Sequence, residues 1–445
     1  MKKYKFNTWS WPKNYWKASK KLLNWLILLF LIISTILFFD KPNVFLLIFN
    51  IFFILILIIW KEKTKILIYI LFFIYIYLTL ELKKHEIDNF EINDKIFIKN
   101  KLFKNNYIFE YDNKKILIFS KNIKENLIYS ANLQIKKINS DEVMRDFLYS
   151  NNIYYKVVKI NNFLYKNEHE NFLITIKKFI LNSKNNYLKF VPLLLLGKNH
   201  LENNELINIL KKINIYHLFV ISGFHIAFIK IFFEKIFNFL KIKYFIFIIF
   251  CTIFLLFYLL ILDFSVSALR AFIFLILLEV NKKIFLKKYK NYEILIFTGF
   301  IFIIQNIYIV YSISFILSFF ISLVIIFITN LKIKNKFMNL IVISTVANIS
   351  SFLILNFFNV YNYNVLSVFN SIIFSPLISL LYSLFFLLFW AKDFIDYICG
   401  YLLKLLIFYE QFQIIYQIYL SKWLIFILSI LFFWFLPLIN LKKIK

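Results

Sequence analysis

The sequence predicts a polytopic α-helical membrane protein with about twelve transmembrane helices and one small extracellular β-barrel domain. The chain has 445 residues, 61% of them hydrophobic, and a mean hydropathy of +0.73. Uncharged apolar runs recur at lengths that cross a hydrocarbon core of roughly 30 Å. These runs stop over residues 82–165, where apolar and polar residues alternate instead. The density of apolar runs excludes a soluble enzyme.

The first 81 residues are predicted to form the N-terminal transmembrane helices. Seven lysines and no acidic residue lie in the first 21 residues, ahead of the apolar run Leu22–Phe39. That run is longer than the hydrophobic core of a secretory signal and lacks a small-residue cleavage site, so it indicates a signal anchor. Two further apolar runs follow at about 44–60 and 66–80.

Residues 82–165 are predicted to form an extracellular domain, because an odd number of crossings precedes them. The alternating segments are KIFIKNKLF, NYIFEY, KKILIFS, LIYSANLQIKKI and IYYKVVKI, with a short helix after Ser140. Five short strands with one helix are typical of a barrel of the oligonucleotide-binding (OB) type. A small β domain that binds no ligand is the alternative. The candidates for contacts with phosphates are Lys114, Lys115, Lys136 and Lys137.

Residues 166–214 are predicted to connect the barrel to the main helix bundle through interfacial helices. The Asn203 and Asn204 region can cap a short helix there. The apolar residues of this helix fall on one stripe, as expected for a helix with one buried face. They are Leu206, Ile209, Leu210 and Ile213.

Residues 215–445 carry the remaining predicted crossings and form the main transmembrane domain. The run that contains Pro376 is long enough to be broken or re-entrant. Lysine clusters alternate with the runs, and the positive-inside rule then predicts a protein of the cell membrane with both termini in the cytoplasm. The runs lie at about 215–233, 243–262, 265–281, 292–309, 311–329, 339–358, 365–390, 395–416 and 422–439.

Polar residues inside these runs are the candidates for function, because ionisable groups at membrane depth are costly and usually mark a pore, a site or a buried partner. The densest group is HLFVISGFH, which holds one Gly and two His in a chain with 4 Gly and 5 His. Arg270 is one of only two arginines in the sequence. The candidates for lining a pore or a DNA path are His217, Ser222, Gly223, His225, Asp263, Ser265, Ser267, Arg270 and Asn370.

Two interpretations of the Arg270 segment stay open. Asp263, Ser267 and Arg270 are spaced three or four residues apart, which predicts one helical stripe, and the same spacing joins Ser222 to His225. A guanidinium that faces a pore suits passing phosphates through a bidentate contact. Alternatively, Arg270 pairs with Asp263, and these residues and the histidines act as buried contacts between helices.

The sequence predicts no catalytic residue, no cofactor and no metal site. An intramembrane metal hydrolase built on His217, His225 and Asp263 is disfavoured, because the His-Glu-x-x-His signature is absent. A small-solute transporter is the main alternative, since Gly223 and Pro376 permit broken half-helices. A disulfide is not expected, because both cysteines, Cys251 and Cys399, lie in or beside apolar runs.

Several sequence blocks resemble the ComEC family, bacterial membrane proteins that conduct incoming DNA during transformation. The blocks are LLLLGKNHLENNEL, INIYHLFVISGFHIAFI and YLLILDFSVSALRAFIF, in this order, with SISFILSFF and SVFNSIIFSPL after them. MRDFLYSNNIYYKVV resembles the end of the family's small N-terminal β-barrel. The chain departs from the family at Lys198, where an acidic residue is usual, and at Ile213 and Asn214, where a small Ala-Gly pair is usual.

The resemblance implies a channel that passes single-stranded DNA inward across the cytoplasmic membrane. Many family members continue into a metallo-β-lactamase-like domain, whereas this sequence stops at LKKIK, so nuclease activity is expected from a separate chain. The sequence has no Gly-rich phosphate loop with its Lys, so a cytoplasmic ATPase is expected to pull the strand. The other expected partners are the lipid membrane and an extracellular DNA receptor. Whether the channel is a monomer or a homodimer is left open.

Overall fold

A computed structural model of the protein describes most of residues 13–428. The residues outside this description are 1–12, 43, 60, 85–87, 104–105, 121–122, 124, 126, 140–141, 143, 169–171, 184, 198–204, 220, 222, 331–334, 422–423, 426–427 and 429–445. The described chain is mostly helical, with one small closed barrel of five strands. The predicted class, apolar helices plus a small β domain, is therefore confirmed at this level.

Three N-terminal helices pack together through apolar side chains. They are α1 (Lys13–Asp40), α2 (Val44–Ile59) and α3 (Lys63–Lys84). Leu28, Leu31 and Ile32 of α1 are fully buried, whereas large apolar side chains on the outer faces of α2 and α3 are exposed. An apolar outer face is what a lipid environment requires.

The β domain closes in the strand order β1-β2-β3-β5-β4, with β3 and β5 parallel. The Asp112–Asn113 turn has positive φ at both residues, as a tight two-residue hairpin turn requires. The strands alternate between buried and outward residues, which explains why the alternation in the sequence located all five. The elements are β1 (Asn89–Phe103), β2 (Asn106–Tyr111), β3 (Lys114–Phe119), β4 (Leu127–Lys137), α4 (Arg145–Ser150) and β5 (Ile153–Glu168).

Four short helices follow the barrel: α5 (Phe172–Leu181), α6 (Asn185–Leu196), α7 (Glu205–Lys212) and α8 (Tyr216–Phe219). The apolar stripe predicted for α7 is confirmed, because Leu206, Ile209 and Leu210 are buried and the adjacent Ile213 is fully buried. The predicted cap at Asn203 and Asn204 lies outside the described residues.

The main bundle contains α9 (Gly223–Phe239), α10 (Tyr244–Ile261), α11 (Val266–Lys283), α12 (Asn291–Gln305), a 3₁₀ helix (Ile307–Tyr311), α13 (Ile313–Asn330), α14 (Lys336–Phe357), α15 (Ser367–Leu388) and α16 (Lys392–Glu410). Two short strands, β6 (Asn362–Asn364) and β7 (Ile415–Gln417), pair antiparallel beside α15 and α16. The broken or re-entrant form that the length of this run permits is not observed, because α15 is one continuous helix through Pro376. Packing on both sides, at buried Phe374 and Ile378, supports the helix where the proline removes a donor.

Five helical segments are long and apolar enough to cross a membrane, judged by length and composition over the described residues. Shorter apolar helices, such as Asn291–Gln305 and Ile313–Thr329, accompany them. The five segments are Lys63–Lys83, Tyr216–Phe239, Tyr244–Ile261, Phe337–Phe357 and Ser367–Leu388. The count of about twelve crossings stays a prediction, and most of the predicted run at 422–439 lies outside the described residues.

Candidate functional site

Arg270 lies where three helices of the main bundle meet. Arg270 is 5% exposed, and its Nε donates a hydrogen bond of 2.6 Å to Oγ of Ser318 on α13. A Cβ added at Gly223, the first residue of α9, would lie 3.5 Å from Nη2 of Arg270. Gly223 therefore brings the start of α9 into contact with the guanidinium, although the space also admits a methyl group.

Asp263 does not share a helical stripe with Arg270, so this part of the sequence prediction is wrong. The residue lies in the turn between α10 and α11, with φ of 50°, and α11 begins only at Val266. Both carboxylate oxygens of Asp263 accept hydrogen bonds of 3.0 Å from Nζ of Lys177 on α5. Spacing alone could not reveal this turn, because its two positive-φ residues, Asp263 and Phe264, are not glycines.

The proposed Arg270–Asp263 pair is accordingly wrong as well. Among the residues that the structure describes, no carboxylate lies within ion-pair distance of Arg270, and Ser318 is its hydrogen-bond partner. Burying a cation without an anion is costly, since hydroxyl and backbone groups replace only part of its hydration. The site is thus arranged around a desolvated positive charge that a passing anion could neutralise.

The two histidines of HLFVISGFH occupy different environments. His225 on α9 is fully buried, and its ring contacts that of Tyr382 edge-to-face, with the centroids 4.3 Å apart. Tyr258 lies 3.4 Å from the Tyr382 hydroxyl, oxygen to oxygen, and donates to the backbone oxygen of Leu195. His217 on α8 is exposed. No three His, Cys, Asp or Glu side chains are grouped to hold a metal ion in the described part of the chain.

Asn370 forms the centre of a buried amide network between α7, α15 and α16. Its Nδ2 donates to the backbone oxygen of Ile213 at 2.6 Å and to Oε1 of Gln413 at 2.7 Å. Its Oδ1 accepts a hydrogen bond of 2.7 Å from Tyr409. Asn364 extends the network, donating to the backbone oxygen of Lys212 at 2.6 Å and to Gln413 at 2.9 Å. The network therefore fixes the chain just before the HLFVISGFH segment.

The remaining serine candidates are placed as follows. Ser265 is the residue before α11, and its buried hydroxyl has no hydrogen-bond partner among the described residues. Ser267 is half-buried in the first turn of α11. Ser222 lies outside the described residues, so its predicted stripe with His225 is not observed.

Sequence reasoning missed Ser318, the residue that holds Arg270. A signal was present, because Ser314, Ser318 and Ser322 recur every four residues and share one face of α13. A second polar group was also missed on α14, where Asn348 donates to Oγ of Ser371 on α15 at 3.3 Å. The serine spacing marks a polar face of α13, but both contacts join residues that are distant in sequence, so local spacing does not identify the partner of either residue.

The barrel lysines predicted to contact phosphates differ in their surroundings. Lys114 lies over the rings of Phe90 and Tyr155, with Nζ 5.1 Å and 5.3 Å from their centroids. Lys136 is exposed, whereas the Nζ of Lys137 donates to the backbone oxygen of Lys83 at the end of α3. Lys115 is half-buried on β3 opposite a glutamate of β2.

A buried ion pair joins the barrel domain to the membrane helices. Arg145 of α4 donates from Nη1 to Oδ2 and from Nη2 to Oδ1 of Asp40, at 3.0 Å and 2.5 Å. Tyr311 donates to the same carboxylate at 2.7 Å. Burial lowers the pKa of Arg145. The hydrogen bond and the charge of Asp40 together raise this pKa by more than burial lowers it, so the net pKa is above its ordinary value. The barrel is therefore fastened at the junction of α1 and the 3₁₀ helix.

The fold and these sites define a mostly helical chain, consistent with a membrane-embedded protein, that carries a small closed barrel and a buried arginine. Its sequence matches the competence protein family over residues 194–443, and the chain belongs to that family. The resemblance to the ComEC family is thereby confirmed, and the family suggests a role in DNA uptake.

One curated relative also matches part of the chain. It is an uncharacterized protein of Mycoplasma genitalium, 37% identical over 127 residues. The matching segment is 28% of this chain and 32% of that protein, so it spans about a third of the relative's length. No solved structure matches the chain.

Proposed function

We propose that the protein is a channel that passes single-stranded DNA inward across the cytoplasmic membrane. The observation that carries this proposal is Arg270, a buried guanidinium with no carboxylate within ion-pair distance among the described residues, in a chain of the competence protein family. A strand of DNA brings one phosphate per nucleotide and can compensate such a charge as it passes. A structural ion pair would have kept a permanent anion beside Arg270.

The barrel is proposed to receive the strand on the outer side of the membrane. Lys114 places a cation beside the half-buried ring of Phe90, and a cation next to an aromatic ring is the combination that binds single strands without sequence preference, whereas Tyr155 is buried in the barrel core. An OB-type role for the barrel rests on its closed sheet of five strands and on these residues. Of the four candidate lysines, Lys136 is the exposed one, whereas Lys137 is used in the contact with α3.

The chain is proposed to act as a conduit and not as an enzyme, without a metal or another cofactor of its own. A cytoplasmic ATPase would pull the strand, a separate chain would degrade its complement, and an extracellular receptor would deliver the DNA. Both termini are proposed to lie in the cytoplasm. The transporter alternative loses part of its basis, because the helix through Pro376 is unbroken.

The proposal is tested by strand import into vesicles that contain the purified full-length chain. A fluorescent single strand is added outside, and the fraction protected from external nuclease is measured. We expect Arg270→Lys to leave the protein abundant but to lower import about tenfold, because an ammonium keeps the charge and loses the bidentate fork.

Ser322→Ala is the matched control for this experiment. Ser322 lies one turn from Ser318 on the same helix, and its hydroxyl bonds to the backbone oxygen of Ser318, not to the guanidinium. Import should stay within about twofold of the parent chain. Equal import by the Arg270→Lys variant and the parent chain would contradict a phosphate contact.

A further inference from the structure

Two turns at one end of the main bundle lie side by side. Tyr244, the first residue of α10, donates to Oε2 of Glu279 on α11 at 2.8 Å, and Lys230 of α9 donates to Oε1 at 2.6 Å. The ammonium groups of Lys282 and Lys283 lie 5.0 Å and 4.5 Å from the Tyr244 ring centroid. These contacts join the α9–α10 turn to the α11–α12 turn, and we call the two together the paired turns.

The paired turns carry a large excess of exposed positive charge. The nearby carboxylates are already engaged, since Glu279 accepts from Lys230 and Tyr244, and Glu293 accepts from the backbone nitrogen of Lys290 at 2.9 Å. Glu234 on α9 is half-buried. The exposed lysines are Lys235, Lys241, Lys243, Lys282, Lys283, Lys287, Lys288 and Lys290.

Large apolar side chains are exposed between these lysines. Phe239 is 85% exposed at the first turn, and Ile284 and Leu286 are 70% and 83% exposed at the second. Large exposed apolar side chains are unfavourable on a surface that contacts only water and a soluble polyanion. A phospholipid presents an anionic headgroup next to acyl chains and so fits both features of the paired turns.

The second turn is held in a fixed conformation. Buried Asn281 donates from Nδ2 to the backbone oxygen of Tyr289 at 2.8 Å and accepts from the Tyr289 backbone nitrogen at 3.1 Å. Leu286 and Lys287 have φ of 48° and 62°, a left-handed backbone that non-glycine residues seldom adopt. The side-chain clamp holds this unfavourable backbone and presents Leu286 and Lys287 at the tip of the turn.

We propose that the paired turns are a binding surface for anionic phospholipids. The lysine ammonium groups contact headgroup phosphates, and Phe239, Ile284 and Leu286 insert among the acyl chains at the membrane interface. The surface is independent of the DNA path proposed above, because Arg270 takes no part in it.

The test measures lipid binding to the full-length protein in detergent by native mass spectrometry. Phosphatidylglycerol is titrated against phosphatidylcholine, and the affinity of each is taken from the retained lipid. We expect a preference of at least tenfold for phosphatidylglycerol. The triple change Lys283→Gln, Lys287→Gln and Lys288→Gln should remove most of that preference.

The matched control removes three exposed lysines from the barrel: Lys95→Gln, Lys136→Gln and Lys159→Gln. It changes the net charge equally and should leave lipid affinity within about twofold. Leu286→Asn keeps every lysine and should weaken phosphatidylglycerol binding severalfold. Equal loss in both triple variants would overturn the proposal. So would displacement of the lipid by a short single-stranded oligonucleotide together with no effect of Leu286→Asn, because the surface would then recognise phosphate alone.

Discussion

The two arginines of the chain show how one residue type serves two purposes when it is buried. Arg145 makes a two-point contact with Asp40 and is neutralised within the protein. Arg270 is equally hidden but bonds to a serine hydroxyl. A guanidinium cannot lose its proton at ordinary pH, so Arg270, which has no carboxylate partner in the described part of the chain, is the arginine whose charge an external anion could compensate. The contrast separates a structural contact from a candidate binding residue.

A substitution of Asp263 tests whether its carboxylate is a structural partner of Lys177 and not of Arg270. Asp263→Leu should remove the carboxylate that both accepts from and is paired with the half-buried Nζ of Lys177, which costs roughly 3 kcal/mol for a pair that is largely removed from water. We expect lower abundance and a lower midpoint of thermal unfolding. Adding Lys177→Met should restore much of the loss, because the cation that Asp263 compensates is then removed as well.

Arg270→Leu in place of Lys177→Met is the matched control, since it removes a different buried cation. It should not restore the abundance of Asp263→Leu. Recovery with Arg270→Leu, and none with Lys177→Met, would contradict the pairing of Asp263 with Lys177.

At the scale of elements, the sequence predicted the features that depend on local periodicity. It did not predict the features that depend on contacts between distant segments. Alternation located all five barrel strands, and the stripe on α7 was correct, because each pattern is local. The β1 and β5 strands extend beyond their predicted ends, since pairing with β4 reaches Asn89 and Glu168. The continuity of α15 at Pro376 depends on neighbouring helices, and the length of the run therefore left it open.

Asn370 shows the same limit for the candidate site. The sequence makes it a candidate for lining a pore or DNA path, since polar groups at membrane depth often mark a site. Its hydrogen bonds reach Ile213 and Gln413, which are 157 and 43 residues away. Only the folded chain brings these groups together, so its structural role could not be deduced from spacing.

The amide network gives a prediction about how α7 and α8 are held. Asn370→Ala should leave the Ile213 carbonyl and the Tyr409 hydroxyl without this buried partner, at a cost of about 2–4 kcal/mol. We expect faster hydrogen exchange in residues 205–219 and a lower unfolding midpoint. Asn362→Ala removes an exposed side chain on β6 and serves as the control, with little change in either measurement. Unaltered exchange in the Asn370 variant would contradict the anchoring role.

At the scale of the whole molecule, the barrel is a fixed part of the structure and not a loosely tethered domain. The Asp40 carboxylate receives hydrogen bonds from Arg145 and Tyr311. Close by, Asn306 donates to the backbone oxygen of Tyr149 at 2.9 Å, and Lys83 donates to Tyr154 at 2.7 Å. One set of contacts therefore joins the barrel to the ends of α1, α3 and α12, and the proposed topology places all of them on the same side of the membrane.

Because the barrel is fixed to the helices, labelling one residue of the barrel tests the orientation of the whole chain. Asn113 is exposed at the β2–β3 turn of the barrel, and both native cysteines, Cys251 and Cys399, are buried. An Asn113→Cys variant should therefore react with a membrane-impermeant maleimide added to intact cells, because the positive-inside rule puts the barrel outside. Lys287→Cys, in the paired turns at the proposed cytoplasmic face, should react only after the membrane is permeabilised. The reverse labelling of the two positions would contradict both the orientation and the inward direction of transport.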